Sequence, residues 1–108
     1  VLRGGTGGDI PTAVGYVNQI RTRAGATAIT ATDLTLDFIL AERGRELFWE
    51  CHRRTDLVRF DKFTGSSKIW QWKGGVKNGT STESYRNLMP IPSRAIQANP
   101  TLKQNPGY

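Results

Sequence analysis

The chain has 108 residues and a formal net charge of +6, and 37% of its residues are hydrophobic. These values are typical of a globular protein and exclude a wholly disordered chain. The chain has no run of about 20 apolar residues, the length that a membrane-spanning helix needs. Its one cysteine excludes an internal disulfide, and no Cys/His cluster suggests zinc. The excess basic residues, Lys73 among them, are scattered singly, so we expect solvated charges and no nucleic-acid partner.

Four glycines within residues 1–8 predict a flexible lead-in, because their spacing matches neither GxGxxG nor GxxxxGK[ST]. A first helix is predicted from Asp9, a good N-cap residue, with Pro11 in its first turn. It is predicted to end at Gly25, where a left-handed residue is favoured. One face of this helix carries apolar residues at helical spacing, namely Ala13, Tyr16, Val17, Ile20 and Ala24.

A second, longer helix is predicted from Asp33 to Phe60, because this stretch has no proline and contains only one glycine, Gly44. Its apolar residues form two stripes on a helical wheel, so both faces should pack against neighbours. We therefore expect four residues of one stripe to be nearly fully buried, namely Leu40, Leu47, Phe48 and Val58. Trp49 and Phe60 should pack against a different neighbour. The two helices together form a predicted helical pair over residues 9–62.

Charged residues of the second helix predict structural ion pairs. The set comprises Glu42, Glu46, Glu50, Arg43, Arg53 and Asp56. Glycoside hydrolysis would need two carboxyls facing each other across a substrate, one of them with a raised pKa. Carboxylates in one row on a helix, beside arginines that lower their pKa, do not meet that requirement. We therefore expect no catalytic role for this set.

Two further residues of this helix invite a chemical role. His52 and Asp56 are four residues apart, but two ligands do not make a metal site, and a packed histidine is the simpler interpretation. Cys51 lies on the main apolar stripe, where a buried thiol behaves as a small hydrophobe. The sequence predicts no catalytic residue, no metal site and no cofactor.

Residues 63–108 are rich in Gly, Pro, Asn, Ser and Thr, and they predict a long ordered coil wrapped over a larger body. Residues 93–98 could form one helical turn. Trp70 and Trp72 are the candidate ligand-binding residues, since indole rings on an irregular segment can stack on a sugar. The alternative is that they are buried plugs that anchor the coil, and we expect this for at least one of them.

Three segments resemble the SusD/RagB family of outer-membrane nutrient-binding lipoproteins of Bacteroidetes. LAERGRELFWECHRRTDLVRF (40–60) is similar to the family pattern LxERxRELxxEGxRxxDLxRF, with Cys51 in place of the usual glycine. IWQWKGGVKNGTSTESYRNLMPIP (69–92) resembles an insertion that many members carry before a PIP turn. SRAIQANPTLKQNPGY (93–108) resembles the ending of the family.

The resemblance implies a mainly α protein, the C-terminal part of a tetratricopeptide-like helical SusD fold, with two helices followed by a long ordered coil. Residues 1–108 would be the C-terminal segment of one larger domain. The whole protein would be lipid-anchored at the extracellular face of the outer membrane, through an N-terminal region absent here. It would bind glycan and deliver it to a SusC-like TonB-dependent transporter without catalysis, mostly through ligand loops upstream of this segment.

Two alternatives stay open beside this interpretation. The segment could be purely structural and contact only the remainder of the polypeptide or the transporter, with a peptide or another nutrient as the ligand. A hydrolase is the poorer alternative, because the carboxylates are expected to be ion-paired.

Overall fold

A computed structural model describes residues 1–108 and is mainly helical. Its helices are α1 (Ile10–Arg23), α2 (Leu36–Glu46), α3 (Arg53–Arg59) and α4 (Ser93–Ala98). Lys73–Gly75 and Ser84–Asn87 form short 3-10 turns, and Gly65 and Thr82 form an isolated antiparallel bridge. The mainly α class is thus confirmed. None of the helices combines the length and the apolar character that crossing a membrane requires.

The chain divides into two compact units, Val1–Asp56 and Leu57–Tyr108, and the division falls within α3. The first unit contains α1 and α2, and the second contains the 3-10 turns and α4. Whether both belong to one larger domain, as the resemblance implies, stays a prediction.

Both ends of α1 follow from local sequence signals, and both predictions are confirmed. The carboxylate of Asp9 accepts hydrogen bonds from the backbone N–H of Thr12 (2.8 Å) and from its hydroxyl (2.9 Å). The backbone bond, followed by the hydroxyl bond, lowers the pKa of Asp9. Gly25 has φ +69°, and the N–H of Ala26 donates to the carbonyl of Arg21 (2.8 Å). A glycine in the left-handed region closes this end without steric cost.

The start of α2 differs from the prediction. Thr35 is the N-cap, and its hydroxyl accepts from the N–H of Phe38 (3.0 Å). Asp33 instead accepts from the N–H (2.8 Å) and the hydroxyl (2.7 Å) of Thr30. These two bonds, the backbone one first, lower the pKa of Asp33. The side chain of Asp33 therefore stabilises the turn before the helix, and it is no longer available to cap the helix itself.

The continuous helix predicted from Asp33 to Phe60 is wrong, because the chain reverses direction between α2 and α3. The carbonyl of Leu40 accepts from Nη1 of Arg53 at 2.7 Å. Residues 13 positions apart in one straight helix would lie about 20 Å apart along its axis. Within the reversal, Trp49 (φ +68°) and Cys51 (φ +60°) both adopt the left-handed conformation, which no α-helix contains.

This reversal also corrects the predicted burial. Leu40 is fully buried, as predicted, and Leu34 and Leu57 are the other buried apolar residues. Leu47 and Val58 are only half-buried, and Phe48 is 73% exposed. Phe48 lies on the turn between α2 and α3, and not on a continuous helical stripe. The same connection contains Trp49, Cys51 and His52, which are also exposed. The predictions of a buried thiol and a packed histidine are therefore wrong for this chain.

The second unit is mostly coil, as expected, and side-chain hydrogen bonds to the backbone hold its end in place. The amide of Gln104 both accepts from the N–H (2.8 Å) and donates to the carbonyl (2.9 Å) of Ile91. Asn105 donates to the carbonyl of Met89 (2.7 Å), and the hydroxyl of Tyr108 donates to that of Leu88 (2.8 Å). The predicted helical turn over residues 93–98 is confirmed as α4.

Candidate functional site

Trp70 and Trp72 lie on a loop whose two ends are joined. The N–H of Gly65 donates to the carbonyl of Thr82 (2.9 Å), and these two residues form the isolated bridge. The hydroxyl of Thr82 donates to the carbonyl of Phe63 (3.1 Å). The segment between the bridged residues is therefore a closed loop, and its coil is held without a regular sheet.

The backbone at Trp72 is unusual, because Trp72 has φ +66°. A bulky residue rarely adopts this conformation, which costs about 1–3 kcal/mol and persists only where the surroundings impose it. Here the N–H of Trp72 donates to the carbonyl of Val76 (3.1 Å), and its carbonyl accepts from the N–H of Gly75 (3.0 Å). The loop thus fixes the backbone of Trp72 and the direction of its Cα–Cβ bond.

Gly79 lets two parts of the loop approach closely. A β-carbon at position 79 would lie 2.2 Å from the carbonyl oxygen of Trp70 and 2.5 Å from a methyl carbon of Ile69. Gly79 also has φ +76°, so glycine is required both for space and for conformation. The position of the Trp70 backbone therefore depends on this glycine.

Lys73 is buried inside the loop, contrary to the expectation that it is a solvated charge. It is only 4% exposed, and its ammonium donates to the carbonyl of Lys68 (2.6 Å) and more weakly to that of Gly65 (3.4 Å). The same nitrogen lies 4.8 Å from the centre of the Trp70 ring, which is a cation–π distance. No pattern in the sequence distinguishes this lysine from the exposed ones, because its burial depends on the closed loop.

The two tryptophans line an open groove of about 650 Å³, which we call the tryptophan groove. Trp70 is 41% exposed and Trp72 is 65% exposed, so neither is a buried plug within residues 1–108. The remaining lining combines hydroxyls and charges with some apolar surface. It consists of Phe63, Lys73, Gly74, Thr80, Ser81, Thr82, Glu83 and Arg86. This volume lies in the range of small-molecule sites, and the lining offers ring faces beside polar groups.

A second groove, which we call the turn groove, lies in the first unit where the chain reverses after α2. It also has a volume of about 650 Å³, and it is lined by Ala41, Arg43, Gly44, Leu47, Phe48, Trp49, Cys51 and Arg53. The rings of Phe48 and Trp49 pack edge to face, and their centroids lie 6.2 Å apart. Their exposure gives this unit an apolar surface with few polar groups to orient a small ligand.

The predicted ion pairs exist, but two carboxylates pair mainly with α1. Glu42 binds Arg21 of α1 (2.9 Å) and also Arg45, and Glu46 binds Arg23 of α1. Burial raises the pKa of Glu42, but hydrogen bonds and charge from Arg45 and Arg21 outweigh it and lower the pKa overall. The sequence prediction missed Arg21 and Arg23, because their approach depends on the packing of α1 against α2.

The other members of the predicted set have different outcomes. Arg43 binds Asp56 (2.8 Å), which is 2% exposed. Arg53 donates to the carbonyl of Leu40. Glu50 lies exposed in the turn and forms no ion pair. Nowhere in residues 1–108 do three or more His, Cys, Asp or Glu side chains gather as a metal site would require.

Comparisons with known proteins agree with the resemblance. A family model described as the SusD family matches residues 4–108. The chain is 45% identical over 102 residues to the "Starch-binding protein SusD" of Bacteroides thetaiotaomicron, an alignment that covers 94% of this chain and 18% of that protein. It is 34% identical over 103 residues to the "SusD-like protein P25" of Formosa agariphila, covering 86% of this chain and 19% of that protein. The chain thus spans about a fifth of the length of these relatives. Residues 1–108 belong to the SusD family.

Proposed function

We propose that the chain is part of a cell-surface protein that binds glycan and delivers it to a SusC-like TonB-dependent transporter without catalysis. The observation that carries this proposal is the tryptophan groove, which presents two partly exposed indole rings beside three hydroxyl side chains. Membership in the SusD family supports it, and so does the starch-binding name of one relative. The protein would be lipid-anchored at the extracellular face of the outer membrane, through a region outside residues 1–108.

Aromatic faces and hydroxyls together suit a sugar. The C–H groups of a pyranose pack on an indole ring, while its hydroxyls need donors and acceptors at the rim. Thr80, Ser81 and Thr82 supply such groups along one side of the groove. Because the loop fixes the backbone of Trp72, binding would need to order only the side chain and not the main chain, which lowers the entropic cost.

The geometry favours binding over hydrolysis. The only carboxylate in the lining of the tryptophan groove is Glu83, whereas glycoside hydrolysis generally needs two. Glu42, Glu46 and Asp56 are ion-paired in the first unit, as structural carboxylates are. The prediction that the chain is not an enzyme thus agrees with its family.

Titration calorimetry of the full-length protein with a panel of oligosaccharides, beginning with malto-oligosaccharides, tests this proposal. Replacing Trp70 or Trp72 by Ala should weaken binding by about 1–2 kcal/mol, roughly 5- to 30-fold, with little change in melting temperature. Trp49→Ala is the matched control, because Trp49 is exposed but lies outside the tryptophan groove. Unchanged affinity in both groove variants would place glycan binding elsewhere in the protein.

The turn groove favours a second candidate function, that of an interaction segment. Its exposed Phe48 and Trp49 could be covered by the remainder of the polypeptide or by the transporter. A Phe48→Ser/Trp49→Ser double variant of the full-length protein separates these two occupants. A large loss of stability would indicate packing within the polypeptide, whereas normal stability with weaker co-purification of the transporter would indicate the transporter.

A further inference from the structure

The buried lysine of the closed loop is held through both its backbone and its side chain. The N–H of Lys73 donates to the carbonyl of Trp70 (3.1 Å), and its own carbonyl accepts from the N–H of Thr80 (3.1 Å). Its ammonium donates to the carbonyl of Lys68 (2.6 Å) and more weakly to that of Gly65 (3.4 Å). Lys73 is therefore tied to the loop from its main chain to its charged end, which leaves the ammonium little freedom to move.

One face of the Trp70 ring covers this ammonium. Nζ of Lys73 lies over the ring at 4.8 Å from its centroid, and Lys73 is only 4% exposed. Trp70 itself is 41% exposed, so the rest of its surface is open to solvent. A ligand can therefore reach Trp70 only from the side of the ring that faces away from the ammonium. The lysine contacts the ring and not the ligand.

The attraction between the ammonium and the ring favours one orientation of a side chain that would otherwise be mobile. Exposed side chains change rotamer within picoseconds to nanoseconds. A cation–π contact is stronger where the cation is removed from water, as the ammonium of Lys73 is. The two tryptophans are thus held differently, Trp72 through its backbone and Trp70 through its ring.

We propose that Lys73 is a positioning residue for ligand binding, which holds the Trp70 ring in the orientation that presents its outer face to a sugar. This inference rests on the proposed function, because it assumes that Trp70 stacks on the ligand. A ligand that binds one orientation of the ring loses affinity in proportion to the time that the ring spends in others. Since Lys73 acts only through the ring, its contribution cannot exceed that of Trp70.

Removing the charge of Lys73 should weaken binding of the full-length protein to the oligosaccharide that the parent binds most tightly. For Lys73→Met we expect about three- to tenfold lower affinity, a loss no larger than that of Trp70→Ala. Lys73→Arg keeps a cation that stacks on an indole, so its affinity should stay within about twofold of the parent. Lys77→Met is the matched control and should bind normally, because Lys77 is exposed in the same loop but lies outside the groove lining.

A double-mutant cycle separates positioning of the ring from general support of the loop. Lys73→Met should weaken binding in a Trp72→Ala background as it does in the parent. In a Trp70→Ala background it should have no further effect, because no ring remains to be positioned. A lysine that only supported the loop would weaken binding in both backgrounds.

Fluorine NMR of the full-length protein labelled with 5-fluorotryptophan gives a second readout. Lys73→Met should shift the resonance of Trp70, which is assigned by its absence in Trp70→Phe, because the ammonium no longer lies over the ring. The resonance of Trp72 should stay in place, whereas a loosened loop would move both. Lys77→Met should move neither.

Lys73→Gln carries the test if Lys73→Met fails to fold. Its neutral amide can still donate to a carbonyl but makes no cation–π contact, so it should show the same loss. Parent-like affinity of a neutral variant, or a loss that persists in the Trp70→Ala background, would overturn the inference and leave the proposed function standing. So would normal binding by Trp70→Ala with weaker binding by Trp72→Ala. Normal binding by both tryptophan variants would remove the proposed site together with this inference.

Discussion

The two units of this chain differ in the contacts that their charged side chains make. In Val1–Asp56, side-chain ion pairs join helices and turns, as in Arg21–Glu42 and Arg43–Asp56. In Leu57–Tyr108, the buried Lys73 donates to a backbone carbonyl, and so does Asn105. An ion pair uses charge of both signs, whereas carbonyl dipoles and the Trp70 ring solvate the ammonium of Lys73. We therefore expect the first unit to depend on ion pairs for its stability and the second unit to depend on close backbone contacts.

The largest loss of stability that we predict tests the close backbone approach in the second unit. Gly79→Ala places a β-carbon against the carbonyl of Trp70 at a positive φ, so it should cost about 3 kcal/mol of unfolding free energy. Gly75→Ala is the matched control, because Gly75 has φ +77° but nothing within 4 Å of the added carbon. It should cost only about 1–2 kcal/mol of unfolding free energy, because only the positive φ opposes the alanine. Chemical denaturation of the full-length protein measures both, and equal losses would contradict the close approach.

The second prediction concerns the buried ion pair of the first unit. Arg43→Met removes an ion-pair partner of the buried carboxylate of Asp56, so we expect a loss of about 2–3 kcal/mol of unfolding free energy, below the full value because Arg43 is partly exposed. Arg45→Met removes a more exposed arginine and should cost less than about 1 kcal/mol. Denaturation curves of the two variants at neutral pH provide the comparison. A smaller loss for Arg43 than for Arg45 would show that burial does not determine the strength of these pairs.

The third prediction uses pH to test the ion-paired carboxylate of Glu42 in the first unit. Arginine contacts lower the folded-state pKa of Glu42, so its stabilising contribution is present above the unfolded pKa of roughly 4.3 and is lost as pH falls through the folded pKa. Glu42→Gln should cost about 1 kcal/mol at pH 7, and its difference from the parent should shrink in acid. Glu50→Gln, at an exposed carboxylate without an ion pair, should match the parent at both pH values. Thermal unfolding at pH 7 and below pH 4 checks this, and a constant Glu42 difference would rule out the pairing.

The smallest change in stability that we predict concerns Cys51, in the turn between α2 and α3. Cys51 holds a left-handed conformation that glycine adopts freely, so Cys51→Gly should raise stability by about 0.5–1 kcal/mol, net of the added freedom of the unfolded chain. Cys51→Ala keeps the β-carbon and should bring no gain. Melting temperatures of the two variants decide the point, and a loss of stability with glycine would contradict the assigned backbone conformation.

Local signals predicted α1 well but failed to predict where the second helix breaks. Asp9 and Gly25 act within one turn of the positions that they control, so their effect can be read from the sequence. The break after Glu46 has no proline, and it places Trp49 and Cys51 in a conformation that neither residue favours. One signal was present, because the family pattern has glycine where this chain has Cys51. That departure marks a backbone position with positive φ.

For the candidate site, the sequence suggested two tryptophans as candidates and did not predict their setting. Indole rings on a Gly-rich, Asn-rich segment suggested either plugs or a stacking surface, and composition alone could not separate these alternatives. Closing the loop between Gly65 and Thr82 sets the partial exposure of the two tryptophans. The burial of Lys73 and the contact of Gly79 with Trp70 depend on it as well. Contacts between residues that are distant in sequence leave no pattern in composition or periodicity.

Neighbouring residues and motif order were enough to predict the mainly α class, both caps of α1, the ion-pairing character of the charged helix and the family. Folding of the chain was needed to show that α2 and α3 are separate, which carboxylate pairs with which arginine, and that Lys73 is buried beside Trp70. Each of those outcomes requires the chain to turn back on itself. The hydrogen bond from Arg53 to the carbonyl of Leu40 is one example, because it exists only after the turn has formed.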